Sequence, residues 1–341
     1  MNKSTKKVAA ILTFLLIAMA ALTAEKSSWQ TDDYNMSVFY NAKLHPGDAL
    51  FVRMIFTPKN DFKNQLLTAD KKSTGKIQFF KGKDLTAKSL SQSSFYRIKR
   101  SDETAEETIL AGVPLNTYVK PGQYTLNVTY SPFGRAKQTF TLPVEVLKKD
   151  FELYTLNMPE ASTKIRNDNS KEKQQQIAKL NEVLGKCDTN AVYELNAFQA
   201  PTPAKRITST YGERRVYVYT TGKKQNSMHY GKDFGIPTGS EVRACAHGKV
   251  VLSEWRITTG YTVVIEHLPQ LYSLYYHNSE LKCKVGDIVK PGDLISISGA
   301  TGFVTGPHLH WEIRMNWEAV DPDFFISDFT FEEASKNLLN Q

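Results

Sequence analysis

Gly299-Ala-Thr-Gly-Phe-Val-Thr-Gly-Pro-His-Leu-His-Trp-Glu-Ile-Arg314 is the stretch on which the reading of this chain turns. Its glycines and threonines predict a tight loop. Pro307 leads into His308-Leu-His310, and Trp311 through Arg314 continue as a strand. Side chains along a strand alternate faces with period two, so His308 and His310 point one way while Leu309 and Trp311 point the other. Two imidazoles side by side at the end of a glycine-rich loop suit a metal site. An isolated His-x-His is also short enough to be two surface histidines on an exposed strand, so the decision rests on what lies upstream.

The chain has seven histidines; only His45 precedes position 229, and the other six fall between 229 and 310. The first of these opens His229-Tyr-Gly-Lys-Asp233. Gly231, Gly235 and Pro237 argue against a helix there, and on an extended segment His229 and Asp233 share a face. Two imidazoles and one carboxylate make a set of three protein ligands, which is the count a catalytic zinc uses while a fourth position stays open. A structural zinc would be closed with thiolates, and Cys187, Cys245 and Cys283 are not at ligand spacing. Attack by a metal-activated water on a carbonyl at such a centre also needs a general base and a donor to the developing oxyanion. The candidates are His277, in Leu274-Tyr-Tyr-His277-Asn, and whichever of His308 and His310 does not bind metal.

Working outward, residues 201–326 read as an antiparallel β domain. Candidate strands are Arg215–Tyr219, Lys249–Leu252, Tyr261–Glu266, Leu271–Tyr276, Leu294–Ser298 and His310–Arg314, separated by pieces rich in turn residues such as Gly235-Ile-Pro-Thr-Gly239. Ile288-Val289, bracketed by two Gly-Asp turns, reads as a further short strand. Residues 149–200 form a connector with one amphipathic helix. It has Ser170 as N-cap, Gly185 as stop, and Ile177, Leu180, Val183 and Leu184 on one face; Gln174–Gln176 read as a solvated run. Residues 30–148 read as a β-sandwich of immunoglobulin type: Ala49–Phe56, Lys76–Phe80, Phe95–Ile98, Tyr124–Tyr130 in strict alternation, and Phe140–Leu147. The fold class is therefore all-β, in three parts. The sandwich carries no cluster of ligand-type residues, and its expected roles are substrate positioning, shielding of the active site, or simple spacing.

The first 24 residues have the form of a signal peptide. Lys3, Lys6 and Lys7 precede the apolar run Val8–Leu22, which is shorter than the ~20 residues that span a bilayer. The alternative is an uncleaved anchor, the one route by which this chain would touch a membrane. Either way the expected location is the cell envelope or periplasm, or outside the cell. Residues 327–341 read as a tail. Formal net charge is +8 over 341 residues, with 41% hydrophobic and 23% charged residues. A basic balance fits an anionic polymer as partner, but no Lys/Arg run interleaved with aromatics is present, which excludes nucleic acid as the expected partner. Three cysteines allow at most one disulfide, and buried free thiols fit most of them.

At this point the residues resemble the lysostaphin/LytM-type zinc metallopeptidases, peptidase family M23. The matching pieces are His229 through Asp233-Phe-Gly, Tyr275-Tyr-His277 and Gly299 through Arg314. Around them lie Ser209–Arg214, Gly239–Ala244, Gly248–Val251, Val285-Gly-Asp287 and Val320-Asp-Pro322. The resemblance covers about residues 200–326. It implies one Zn2+ per chain, held by His229, Asp233 and His310. It gives His277 and His308 the two other roles, water activation and stabilisation of the tetrahedral intermediate. It further implies hydrolysis of peptide cross-links or stems of bacterial peptidoglycan in a groove; a catalytically silent wall-binding or hydrolase-activating module is the alternative. The layout of sandwich and peptidase also resembles M23 proteins with an immunoglobulin-like N-terminal domain, which leaves self-shielding by the N-terminal part as an expectation. Two departures stand out, both expected to reshape the groove wall: Asn278 replaces a leucine, and His267-Leu-Pro-Gln-Leu271 replaces a glycine-containing loop.

Overall fold

The computed structural model describes residues 27–69, 71–327, 329 and 331. The expected signal segment and most of the expected tail lie outside the described residues. Strands dominate throughout. The N-terminal part is two five-stranded sheets packed face to face. One sheet runs in the order Ser27–Gln30, Tyr34–Tyr40, Ala49–Pro58, Glu107–Pro114, Tyr96–Arg100; the other runs Lys43–Leu44, Gln138–Val146, Gly122–Ser131, Thr74–Lys81, Ser91–Ser94. Between them lies an apolar core that includes Val38, Val52, Met54, Phe56, Ile77, Phe79, Leu126 and Val128. The alternation in Tyr124–Tyr130 is what delivers Tyr124, Leu126, Val128 and Tyr130 to that core. A short helix, α1 (Asn60–Thr68), which the sequence reading lacked, packs Phe62 and Leu66 against the same core.

Glu107–Pro114 was also absent from the reading, because it is buried along its whole length and shows no polar face. Ile109, Ala111 and Val113 face the sandwich core, while Leu110 faces the C-terminal domain. A strand covered on both sides carries no alternation to read. Phe51 belongs to this second contact: its ring meets Phe331 at 4.9 Å and Phe329 at 5.4 Å, so the expected tail begins as part of the domain interface. Ala49, Phe51, Tyr96 and Leu110 share one apolar cluster with Phe198, Met315 and Phe325. The sandwich is thus joined to the C-terminal domain by a continuous core.

The connector differs from the single helix expected. It begins as the strand Leu153–Asn157, which pairs in parallel with Arg214–Val218 and so extends a small sheet of the C-terminal domain. Two helices follow, α2 (Glu160–Asn167) and α3 (Lys171–Gly185). Ser170 does cap α3, its side chain accepting from the Lys173 N–H at 3.2 Å. Val183 and Leu184 pack with Leu252, Val264, Tyr272, Leu274 and Tyr276, but Ile177 is exposed. Gln176 is not merely solvated: its side-chain oxygen accepts from the Ile257 N–H at 2.8 Å, fastening α3 to the sheet. The C-terminal domain is a ten-stranded sheet whose central strands are Lys232–Phe234, Leu309–Met315, Leu271–Leu281, Gly260–Leu268 and Gly248–Arg256, all antiparallel. All three cysteines are free thiols, but only Cys245 is buried; Cys283 is half-buried and Cys187 exposed, so the expectation of burial holds for one of the three rather than for most.

Candidate metal centre

The centre is built on the strand Leu309–Met315. Period two sends Leu309, Trp311 and Ile313 into the apolar core, each 0% exposed, and leaves His310, Glu312 and Arg314 on the opposite face. Antiparallel pairing then sets two neighbours against His310: Asp233 on one side and Tyr276 on the other. His229 lies just before the strand Lys232–Phe234 and is tied by its N–H to the Glu213 carbonyl at 2.9 Å. Gly231 is required between the two motif residues, since a Cβ there would stand 2.3 Å from the Trp311 carbonyl oxygen.

The result is a convergence of three acceptors. His229 Nε2 lies 3.0 Å from Asp233 Oδ1 and 3.0 Å from His310 Nδ1, and His310 Nδ1 lies 2.6 Å from Asp233 Oδ1. All three residues are buried. Their other polar atoms are already engaged. His229 Nδ1–H donates to the Thr210 carbonyl at 2.7 Å, and His310 Nε2–H donates to Glu312 at 2.9 Å. Asp233 Oδ2 faces the Arg215 guanidinium at 3.6 Å. Those outer bonds fix the tautomers so that both inward nitrogens carry lone pairs. Two lone pairs and a carboxylate oxygen at such distances need a positive charge between them, and the three residues fit a metal ion.

Without a metal, a proton on His310 Nδ1, shared with Asp233 Oδ1, supplies that positive charge in its place. Burial disfavours a charged His310, but the Asp233 and Glu312 carboxylates override it and hold its pKa up to about 9. Burial would raise Asp233 and Glu312, but His310 and His229 hold the first well below the usual carboxylate range, and Arg314 and His310 hold the second down at about 2. Burial pushes His229 down.

His277 and His308 stand beside this cluster. Their ring centroids are 4.8 Å apart, and His277 is 6.0 Å from the His310 ring. His308 Nε2 lies 3.8 Å from Asp233 Oδ1 while Nδ1–H donates to the Gly306 carbonyl at 2.9 Å. His277 Nδ1–H donates to the Thr301 carbonyl at 2.8 Å. Burial, with the neighbouring His308 and His310, pushes His277 down to about 3, which keeps it neutral. Its position depends on an irregularity in the strand Leu271–Leu281. Successive residues Tyr276 and His277 would face opposite sides of a regular strand, yet both line the same cavity. His277 has φ 64, a left-handed conformation that a non-glycine residue adopts at a cost of about 1 kcal/mol. The pairing register breaks at the next residue, Asn278.

All five residues singled out in the sequence therefore meet in one cavity of about 420 Å3. Sequence reasoning missed the residues that orient them: the Thr210 carbonyl, Arg215, Glu312 and Arg314. Glu312 and Arg314 were legible in principle, because period two continues the His308, His310 face into them. The two sequence departures do not shape the cavity wall. Asn278 is fully buried, donating to the Tyr261 and Tyr275 carbonyls and accepting from Ser296, so it ties three strands together. His267 is fully buried too, donating through Nδ1 to the His247 carbonyl at 2.7 Å and lying 2.7 Å from Ser273 Oγ.

Residues 227–322, which hold all five, match the model of peptidase family M23. The chain carries an M23 peptidase domain. The M23 domain has curated relatives. An uncharacterized metalloprotease of Buchnera aphidicola subsp. Baizongia pistaciae is 34% identical over 117 residues, 34% of this chain and 30% of its own length. The peptidoglycan DD-endopeptidase ShyA of Vibrio cholerae is 38% identical over 136 residues, 39% of this chain and 31% of its own. The DD-carboxypeptidase/endopeptidase Mpg of Neisseria meningitidis is 35% identical over 122 residues, 36% of this chain and 27% of its own. The match thus spans less than a third of each relative's length.

Proposed function

We propose that the chain is a zinc-dependent endopeptidase that hydrolyses peptide bonds of bacterial cell-wall peptidoglycan in the envelope, with His229, Asp233 and His310 holding one Zn2+. The observation that carries this reading is the convergence of three lone-pair atoms whose outer partners pin each tautomer, with two further imidazoles beside them. Zinc suits two nitrogens and one oxygen, and when bound it supplies Lewis-acid polarisation and a lowered pKa for water. The name of the Vibrio relative, a peptidoglycan DD-endopeptidase, supports peptidoglycan as substrate, and that of the Neisseria relative, a DD-carboxypeptidase/endopeptidase, supports peptide hydrolysis.

The chain's own residues supply the rest. Burial keeps His277 neutral, with Nε2 free because Nδ1–H is bonded to Thr301, so His277 is suited to take a proton. His308 is half-buried at the mouth of the site, with Nδ1–H anchored on Gly306, and is suited to stabilise the developing oxyanion. Glu312 and Arg215 hold His310 and Asp233 in place. The catalytically silent alternative is disfavoured because all five positions are filled by residues able to act.

Any shielding falls to the connector: Leu156, Met158 and Arg166 line the cavity, and among the described residues none of the sandwich does. The sandwich touches the lining through Thr117, whose Oγ1–H donates to Met228 Sδ at 3.1 Å. The test is digestion of defined cross-linked peptidoglycan by the zinc-loaded chain, read by mass spectrometry of the muropeptides. Loss of cross-linked species, abolished by a chelator, is expected; an unchanged muropeptide profile contradicts the reading.

A further inference from the structure

The charges around the cavity do not all cancel internally. Asp233 is matched by His229, His310 and Arg215, and Glu312 by His310 and Arg314. Arg215 is further matched by Glu213 at 3.1 Å. Arg166, the remaining charged residue of the lining, has no carboxylate partner among the described residues. Its Nε makes one long contact, 3.5 Å, to the neutral Gln225 Oε1, and that oxygen already accepts from the Tyr219 hydroxyl at 2.8 Å.

The backbone that carries Arg166 is fixed. Arg166 sits in the last turn of α2, where Lys173 Nζ donates to the carbonyls of Ile165 at 2.7 Å and Arg166 at 3.1 Å. At the other end of α2, the Ser162 hydroxyl donates to the Val304 carbonyl at 3.0 Å, fastening the helix to the loop that precedes His308. The neighbouring lining is largely apolar: Leu156, Met158, Tyr217 and Phe303. A half-buried guanidinium beside such surfaces sees weakened solvent screening, and its planar fork matches a carboxylate in two parallel hydrogen bonds.

We propose that Arg166 is a specificity-determining residue: its guanidinium receives a free carboxylate of the peptide substrate, so the site prefers an acidic peptide over its amide. The carboxylate is either the chain end of the peptide or a side-chain group; the chemistry is the same. Arg166 comes from the connector, outside the matched M23 segment, so this preference belongs to the chain as a whole rather than to the metal centre. The proposal rests on the peptidase reading, and binding of non-hydrolysed product peptides separates the two.

The experiment is calorimetric titration of the zinc-loaded full chain with two pairs of short peptides ending in D-alanine. One pair differs only in a C-terminal carboxylate or carboxamide, the other only in a side-chain carboxylate or carboxamide. Tighter binding of the acid by about tenfold in at least one pair is expected, reduced to near parity in Arg166→Gln and partly retained in Arg166→Lys. Equal affinities of acid and amide in both pairs overturn the proposal. So does a preference that persists undiminished in Arg166→Gln, which would make the metal the carboxylate acceptor. A chain that shows the Arg166-dependent preference yet leaves peptidoglycan intact overturns the functional reading instead.

Discussion

Glu312→Gln is the perturbation that separates a metal centre from a chance cluster of polar residues. Glu312 is 4% exposed and divides its carboxylate between two donors: Oε1 accepts from His310 Nε2–H at 2.9 Å, and Oε2 accepts from Arg314 Nε–H at 2.6 Å. Glutamine has nearly the same shape but only one acceptor oxygen. If that oxygen stays with Arg314, the amide NH2 meets the His310 N–H, donor against donor. His310 then loses the bond that keeps its proton off Nδ1, the nitrogen that faces His229 and Asp233. Removing such an outer partner costs about 10- to 100-fold in metal affinity. Loss of a charged hydrogen bond in a buried site also removes about 2 kcal/mol from the stability of the metal-free chain. Zinc affinity is measured by competition with a chromophoric chelator, and stability by urea unfolding of the metal-free protein. Arg314→Gln is the comparison: Glu312 then serves His310 alone, so stability falls while zinc affinity stays near that of the parent chain. Unchanged zinc affinity in Glu312→Gln would refute the view that the tautomer of His310 is set for a metal.

Two further outcomes follow from local geometry. His277→Gly and His277→Ala both remove the imidazole, but φ 64 at this position suits glycine, so the glycine variant is expected to be more stable in urea by about 1 kcal/mol; equal stabilities would show that the left-handed conformation carries no cost. His267 is fully buried, and burial pushes its pKa from 6.5 down to about 4. A pKa depressed on folding means that its contribution is complete above about 6.5 and is lost as pH falls toward 4. Urea unfolding should therefore show a stability loss of about 2 kcal/mol between roughly pH 7 and pH 5 from this residue. That slope should be absent in His267→Asn; the same slope in the variant would assign the loss to other groups.

The sequence made the centre legible because its residues lie in short motifs with a period. His308 and His310 share a face by strand alternation alone, and His229 with Asp233 follows from the extended segment around Gly231. The alternating strand Gly122–Ser131 was equally open to reading. What stayed hidden depends on contacts between distant segments. Glu107–Pro114 is covered by two domains and shows no alternation. The parallel pairing of Leu153–Asn157 with Arg214–Val218 joins residues about sixty positions apart, and nothing local announces it. The same pairing brings the connector to the cavity, so Arg166 could not be placed there from sequence. His277 was found as a residue type near the other histidines, while the left-handed bulge that turns it inward is a property of the assembled sheet.

The division of labour within His308-Leu309-His310 is the central claim, and one paired measurement tests it most directly: zinc stoichiometry and peptidoglycan hydrolysis in His310→Ala and His308→Ala, each purified as the full chain. The account predicts that His310→Ala loses zinc and hydrolysis together, whereas His308→Ala keeps one zinc per chain and loses turnover. Full hydrolysis by His308→Ala, or stoichiometric zinc in His310→Ala, would contradict it.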